Sequence, residues 1–179
     1  MDDDIRLMLG FQGGNVHDFE KLMERHHRAV INLAYRFIGD GAAAEDVAQD
    51  VFLQIFRAAA DYQPTAGFTT WLYQIVRNAS YTELRRRTRR PGLLDERSAE
   101  PHAPHAADPI EKAETEAAVK RAIALLPENQ RMAVILRRYN GLPYEEIAKV
   151  MGTTESAVKA LLHRSRLLLK EKLKDLGEK

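Results

Sequence analysis

Apolar side chains recur at spacings of three and four residues through almost every patterned stretch of this chain, which is the period of an amphipathic helix. The pattern predicts helices over residues 18–38, 42–60 and about 69–90, and it returns from Ile110 onward. No stretch shows the apolar–polar alternation of a half-buried strand. We therefore predict an all-α fold.

A proline-containing stretch divides the helical pattern into two parts. From Pro91 to Pro109 the sequence carries four prolines, scattered acidic residues and few large apolar groups, so it cannot bury a core of its own. We predict two small helical domains, residues 1–90 and 113–179, joined by a flexible acidic linker over residues 91–112.

The net charge of +1 hides blocks of opposite sign along the chain. Residues 61–90 and 119–179 are net basic, whereas residues 1–60 and 91–118 are net acidic. Basic blocks attract phosphate groups and give a salt-dependent affinity for nucleic acid. The acidic blocks require a different explanation.

Several classes of protein are disfavoured by what the sequence lacks. It has no cysteine, which excludes disulfides and thiolate metal sites and suits a reducing cytoplasm. No run approaches the ~18–20 apolar residues of a membrane span, and the N-terminus lacks the pattern of a secretory signal. His102 and His105 resemble a metal pair without a third ligand, and no nucleophile with a base partner stands out. We therefore expect a cytoplasmic protein with no membrane insertion, metal, cofactor or enzymatic activity.

The segment from Tyr144 to Arg166 has the pattern of a helix-turn-helix. Gly152 stands where the tight turn needs a residue tolerant of positive φ, and Thr153 or Thr154 can cap the second helix. A basic helix alone is as often a solvated surface as a ligand site, but a complete helix-turn-helix in front of it favours contact with duplex DNA. The candidate base-reading and phosphate-binding residues on its outer side are Ser156, Lys159, Ala160, His163, Arg164 and Arg166.

The predicted helix over about 69–90 carries a second candidate nucleic-acid surface. Tyr73 and Tyr81 share one side of this helix with Arg77 and Asn78, and aromatic stacking beside cations suits unstacked bases. The cationic run 85–90 extends the same helix. Tyrosines alternating with arginines are by themselves more often an ordinary helix surface. They become evidence for nucleic-acid binding because the same chain also has a helix-turn-helix predicted to bind duplex DNA.

Four stretches, in this order and at these separations, give the chain a family resemblance. They are AEDVAQDVF from Ala44, FTTWLYQIVRN from Phe68, LPENQR from Leu126 and GLPYEEIA from Gly141. With them the chain resembles a bacterial RNA polymerase sigma factor of the small extracytoplasmic-function (ECF) group. The resemblance implies two helical domains, one like sigma region 2 and one like sigma region 4. It also implies that core RNA polymerase and promoter DNA are partners, and, with no residue to identify it, an anti-sigma factor.

The resemblance implies a role for three groups of residues. Asp46, Gln49 and Asp50 match the positions that dock on core polymerase. The outer residues of the helix-turn-helix match those that read the promoter −35 element. The residues implied in recognition and melting of the −10 element are Tyr62, Phe68, Tyr73, Arg77, Asn78, Tyr81 and Arg85.

Two other functions remain open from the sequence. An autonomous helix-turn-helix regulator would bind duplex DNA without polymerase, and would usually need a dimerisation surface, which the sequence does not show. A function as an adaptor protein would not explain the cationic run 85–90 or the basic face around Lys159. The resemblance favours promoter-specific transcription initiation.

Overall fold

The computed structural model describes residues 2–89 and 110–174. It describes the side chains of all these residues except 110–114. Within these ranges the chain forms α-helices and a short 3₁₀ helix, and no strand. In chain order the elements are α1 (Asp3–Gln12), α2 (Val16–Ile38), α3 (Gly41–Ala58), the 3₁₀ helix (Ala59–Asp61), α4 (Phe68–Thr88), α5 (Ile110–Ala124), α6 (Glu128–Arg138), α7 (Tyr144–Met151) and α8 (Glu155–Lys172).

The first module consists of α1 to α4. Helix α2 packs against α1, α3 and α4, and the fully buried side chains of Phe37, Ile55 and Leu72 lie in the core between them. Gly39 ends α2 in the left-handed conformation at φ 87°, and the Asp40 side chain then accepts a hydrogen bond from the backbone N–H of Ala43 at 2.8 Å. This combination of a left-handed C-cap and an aspartate N-cap sets the sharp turn from α2 into α3.

The second module consists of α5 to α8, with α6 packed against α7 and α8. The helix-turn-helix prediction is confirmed by its local geometry. Gly152 ends α7 at φ 64°, and Thr154 caps α8 by accepting a hydrogen bond from the backbone N–H of Ala157 at 3.1 Å. Val158, fully buried, anchors α8 to the module.

The two modules touch one another. Helix α4 packs against α7, and α2 packs against α6 and α5. The buried core runs without a break from the first module into the second, so the contact is a packed one.

The sequence predictions for the helices are confirmed within a few residues, with one omission. Helix α1 was not expected, and its apolar face, Leu7, Met8 and Phe11, is buried. Asp2 caps its N-terminus by accepting a hydrogen bond from the backbone N–H of Asp4 at 3.2 Å. Of the linker assigned to residues 91–112, only the last three lie within the described residues, where α5 begins.

Candidate nucleic-acid interface

The outer side of α8 is open to solvent. All six residues predicted to contact the duplex are exposed: Ser156, Lys159, Ala160, His163, Arg164 and Arg166. The predicted inner side is buried at Val158 and Ser165, and the Ser165 hydroxyl donates to the Leu161 carbonyl oxygen at 2.8 Å. The helix therefore presents a polar, cationic face while its opposite face is fixed to the module.

Local contacts hold the cations of this face loosely. Lys159 Nζ lies 3.9 Å from a Glu155 carboxylate oxygen and 5.9 Å from the centre of the Tyr144 ring. Arg164 Nε donates to the Ala160 carbonyl oxygen at 3.3 Å. Exposed pairs of this kind contribute little, so a phosphate or a base edge can replace them at small cost.

Helix α4 gives a different result, because the second module covers part of its polar side. Tyr73 is only 6% exposed, and its hydroxyl oxygen accepts a hydrogen bond from Asn140 Nδ2 at 3.1 Å. Thr70, also buried, donates its hydroxyl hydrogen to the Glu146 carboxylate. The predicted platform for unstacked bases is therefore not open at Tyr73 in this arrangement.

Tyr81 contacts both modules. Its ring stacks on Phe37 with the ring centres 4.8 Å apart, and its hydroxyl donates to Asn129 Oδ1 at 2.8 Å. Burial raises the pKa of the Tyr81 phenol, and the guanidinium of Arg77, 5.0 Å from the ring centre, acts in the opposite direction. Arg77 also donates to the side-chain oxygen of the exposed Asn78 at 3.0 Å.

Tyr62 and Phe68 bracket the loop before α4 and are buried. The ring of Trp71 lies 4.9 Å from that of Tyr62 and 5.8 Å from that of Phe68. Burial raises the pKa of the Tyr62 phenol. Gln12 fixes the start of the loop, because its side-chain amide donates to the carbonyl oxygens of Ala60 at 3.0 Å and Tyr62 at 3.2 Å. These two aromatic residues support the loop, whose residues 63–65 are exposed.

The cationic run at the end of α4 is partly neutralised. Arg86 and Arg87 both pair with Glu83, at 2.7 and 3.2 Å, and Arg87 also reaches Asp40 at 3.0 Å. Arg85 is exposed, as the prediction requires. The run therefore both ties α4 to the start of α3 and offers cations to solvent.

Helix α3 carries a mixed acidic and apolar stripe. Asp46, Gln49 and Asp50 are exposed, and Leu53 and Phe56, each 51% exposed, continue the stripe at helical spacing. Neighbouring large apolar groups that are left exposed, with polar residues beside them, are typical of a protein-binding surface. Phe56 has the apolar spacing of a core residue of α3 but is half exposed, and Leu53 lies outside that spacing. The spacing 46, 49/50, 53 was the signal that could have shown the stripe.

The described residues contain no group of three or more histidine, cysteine, aspartate or glutamate side chains able to hold a metal ion. The two linker histidines considered as a metal pair lie outside these ranges. None of the helices in the described ranges has the length and apolar character needed to cross a membrane.

Within the described ranges these surfaces are those of a class of two-module helical proteins suited to binding DNA, with a separate acidic and apolar stripe on α3. Comparison with known families places the chain more narrowly. The family described as Sigma-70 region 2 matches residues 22–90, and Sigma-70, region 4 matches residues 116–169.

Individual relatives agree with the family matches. The RNA polymerase sigma-H factor of Pseudomonas aeruginosa is 32% identical, over 98% of this chain and 96% of its own length. The ECF RNA polymerase sigma-E factor of Escherichia coli is 30% identical, over 92% of this chain and 91% of its own. A solved structure of the sigma factor RpoE with the anti-sigma factor NepR from Bartonella quintana superposes with a TM-score of 0.72 at 26% identity. It covers 88% of this chain and 97% of that one. The chain belongs to the RNA polymerase sigma factor family, ECF group.

Proposed function

We propose that this chain binds core RNA polymerase and directs promoter-specific transcription initiation by contacting the −10 and −35 elements. The observation that carries the proposal is the pairing, in one chain, of an exposed helix-turn-helix face with a second module whose α4 bears aromatic, amide and cationic side chains. The family matches run in the order region 2, then region 4, along the same two modules. An autonomous regulator gains no support from these relatives, which are named as sigma factors.

The second module is proposed to read the −35 element in duplex form. The N-terminal half of α8 enters the major groove, where Lys159 and His163 lie within reach of base edges while Arg164 and Arg166 hold phosphates. Ser156 and Ala160 allow close approach because their side chains are small. A good base contact contributes ~1–3 kcal/mol of discrimination, so this face can select among promoters.

The first module is proposed to capture and melt the −10 element. Asn78 and Arg85 are exposed and Arg77 and Tyr81 are half-buried, so these four form the accessible part of the surface. Tyr73 is buried and hydrogen-bonded to Asn140 of the second module, so it does not belong to the accessible part. Tyr62 and Phe68, both buried, act by holding the exposed loop between them in place. Binding the displaced strand would supply the free energy for melting, without any hydrolysis.

The stripe on α3 is proposed as the docking surface for core polymerase. Asp46, Gln49 and Asp50 supply charge and hydrogen-bonding groups, and Leu53 and Phe56 supply apolar area at the C-terminal end of the stripe. The Phe56 ring rests on Phe11 and Phe19, with ring centres 5.2 and 5.4 Å away, so it is held rigid in its half-exposed position. A rigid aromatic group loses little conformational entropy on binding.

The regulation and the cellular location of this chain are inferred from the same relatives. The Bartonella structure contains an anti-sigma factor, and we propose that a protein of that kind also controls this chain. We propose that it acts with polymerase in the cytoplasm, as an initiation factor with no catalytic activity of its own.

An electrophoretic shift on promoter fragments tests the proposal. The chain alone should bind duplex fragments weakly, and addition of core polymerase should produce a specific complex that forms an open bubble. Tight, specific duplex binding without polymerase would instead identify an autonomous regulator.

A further inference from the structure

Helix α1 lies against the 3₁₀ helix that precedes the loop over residues 63–67. Gln12, the last residue of α1, donates from its side-chain amide to the carbonyl oxygen of Ala60 at 3.0 Å and to that of Tyr62 at 3.2 Å. Both acceptors come just before the loop. A single side chain of α1 therefore holds the backbone on the N-terminal side of the loop.

A buried pair between α1 and α2 supports the other end of the loop. His26 Nε2 lies 2.8 Å from a carboxylate oxygen of Asp4, and both side chains are buried. The ring centre of His26 is 5.3 Å from that of Phe68, the first residue of α4. Asp4 on α1 therefore fixes the ring against which the C-terminal side of the loop packs.

The loop has few restraints of its own. Within the described residues 63–67, the N–H of Thr65 donates to the Gln63 carbonyl oxygen at 2.8 Å, and no other backbone hydrogen bond joins these residues to one another. Gly67 occupies the N-cap of α4 and has no side chain with which to cap the helix. The buried Tyr62 hydroxyl has no hydrogen-bond partner among the described residues, so packing places its ring. The position of the loop therefore depends on groups outside it.

We propose that Gln12, Asp4 and His26 are positioning residues for −10 recognition, which act by fixing the loop over residues 63–67 at both of its ends. This inference rests on the proposed function, because it extends the role given there to the two buried aromatic residues that bracket the loop. None of the three residues needs to contact DNA.

The expected effect of these contacts is on discrimination between bases. A loop held in one conformation loses less conformational entropy when it binds the correct base. A loose loop can also rearrange around an incorrect base, which makes binding promiscuous. Loss of the contacts from α1 should therefore weaken discrimination at the −10 element and leave the distant −35 contact as it is.

Gln12→Met tests the contact at the N-terminal side of the loop. Methionine has a similar length and no donor for the two carbonyl oxygens. Gln12 is exposed, so the substitution leaves the buried core unchanged. Arg6→Ala is the matched control, because Arg6 is also exposed on α1 but pairs with Asp3 within the same helix.

His26→Phe tests the contact at the C-terminal side. Phenylalanine keeps an aromatic ring against Phe68 and removes the nitrogen that ties this ring to Asp4. The Asp4 carboxylate still accepts a hydrogen bond from Arg25, so the variant does not leave it without a partner. If His26→Phe does not fold, Gln12→Met alone decides the outcome.

The first readout is the fluorescence of the free chain. Trp71 is the only tryptophan in the sequence, and its ring lies against those of Tyr62 and Phe68. Quenching by acrylamide therefore reports whether the two aromatic residues beside the loop remain packed. We expect stronger quenching in Gln12→Met and His26→Phe, and quenching equal to that of the unaltered chain in Arg6→Ala.

The second readout is open-complex formation with core polymerase on a promoter selected by run-off transcription with the unaltered chain. Two further promoters each carry one changed base, one in the −10 element and the other in the −35 element. We expect Gln12→Met to lower discrimination against the changed −10 base about two- to tenfold, which is the usual effect of a lost hydrogen bond. Discrimination at the −35 element and binding of core polymerase should equal those of the unaltered chain.

The outcomes separate this inference from the proposed function. Unchanged −10 discrimination in Gln12→Met would overturn the inference, and so would an equal loss at the −10 and −35 elements, which general destabilisation would produce. If the unaltered chain with core polymerase did not respond to the changed −10 base, the proposed function itself would fail and the inference with it.

Discussion

Leu53→Ala offers a quantitative test of the α3 docking surface. Leu53 is 51% exposed on the outer side of the helix, next to the acidic residues assigned to core polymerase. The substitution removes apolar area that the folded chain leaves in water. It should therefore change binding to polymerase while leaving the stability of the free chain nearly unaltered.

The exposed fraction gives the expected size of the effect. Complete burial of a leucine side chain contributes about 1.5–3 kcal/mol, so burial of the exposed half of Leu53 contributes about 0.8–1.5 kcal/mol. That free energy corresponds to roughly four- to twelvefold weaker binding of core polymerase. The thermal unfolding midpoint should move by no more than about 2 °C, because Leu53 is half exposed and lies outside the buried core.

The chain provides a matched control for this measurement. Leu167 is 56% exposed and lies on α8, away from the α3 stripe. A fluorescence titration of labelled chain with core polymerase should show the loss for Leu53→Ala and no comparable loss for Leu167→Ala. Unchanged binding by Leu53→Ala, or equal weakening by both variants, would refute the assignment of the docking surface.

Three further predictions address stability and the two DNA contacts. Asp40→Ala should destabilise the chain by about 1 kcal/mol in urea unfolding, because it removes the N-cap of α3. The backbone N–H of Ala43 donates to the Asp40 carboxylate and lowers its pKa. The stabilisation by the cap is therefore complete above the usual carboxyl range and is lost as pH falls through the lowered pKa. A difference in unfolding free energy between the two proteins that did not change with pH would contradict this. Lys159→Ala with His163→Ala should change the preferred −35 sequence in a promoter-selection assay and leave core binding intact. Asn78→Ala should reduce open-complex formation, seen by permanganate footprinting, more than closed-complex binding, and equal loss at both stages would oppose a role in melting.

The helices and the helix-turn-helix geometry could be predicted because local signals specify them. Apolar periodicity defined α2 to α4, Gly152 marked the turn, and the cap of α8 is Thr154, one of the two threonines that the sequence offered. The exposed face of α8 followed from the same periodicity, because its inner residues pack within their own module. These features depend on residues that are close together in the sequence.

The remaining features depend on contacts between distant segments. Tyr73 has the spacing of a surface residue on α4, yet it is buried and accepts a hydrogen bond from Asn140, which is distant in the sequence. Phe56 follows the apolar period of α3, yet the core is already filled by Ile55 and Phe52, and the Phe56 ring remains half in water. Helix α1 was not predicted because its apolar residues, centred on Met8, are few. Their burial depends on packing against α2, a separate helix.

We expect this chain to give core RNA polymerase a promoter specificity that depends on both modules. Run-off transcription of a genomic fragment library, with core polymerase and purified chain, measures this directly. We expect new, discrete start sites preceded by two sequence elements at a fixed spacing, and loss of these starts when Lys159 and His163 are both replaced by alanine. Transcripts identical to those of core polymerase alone would contradict the account.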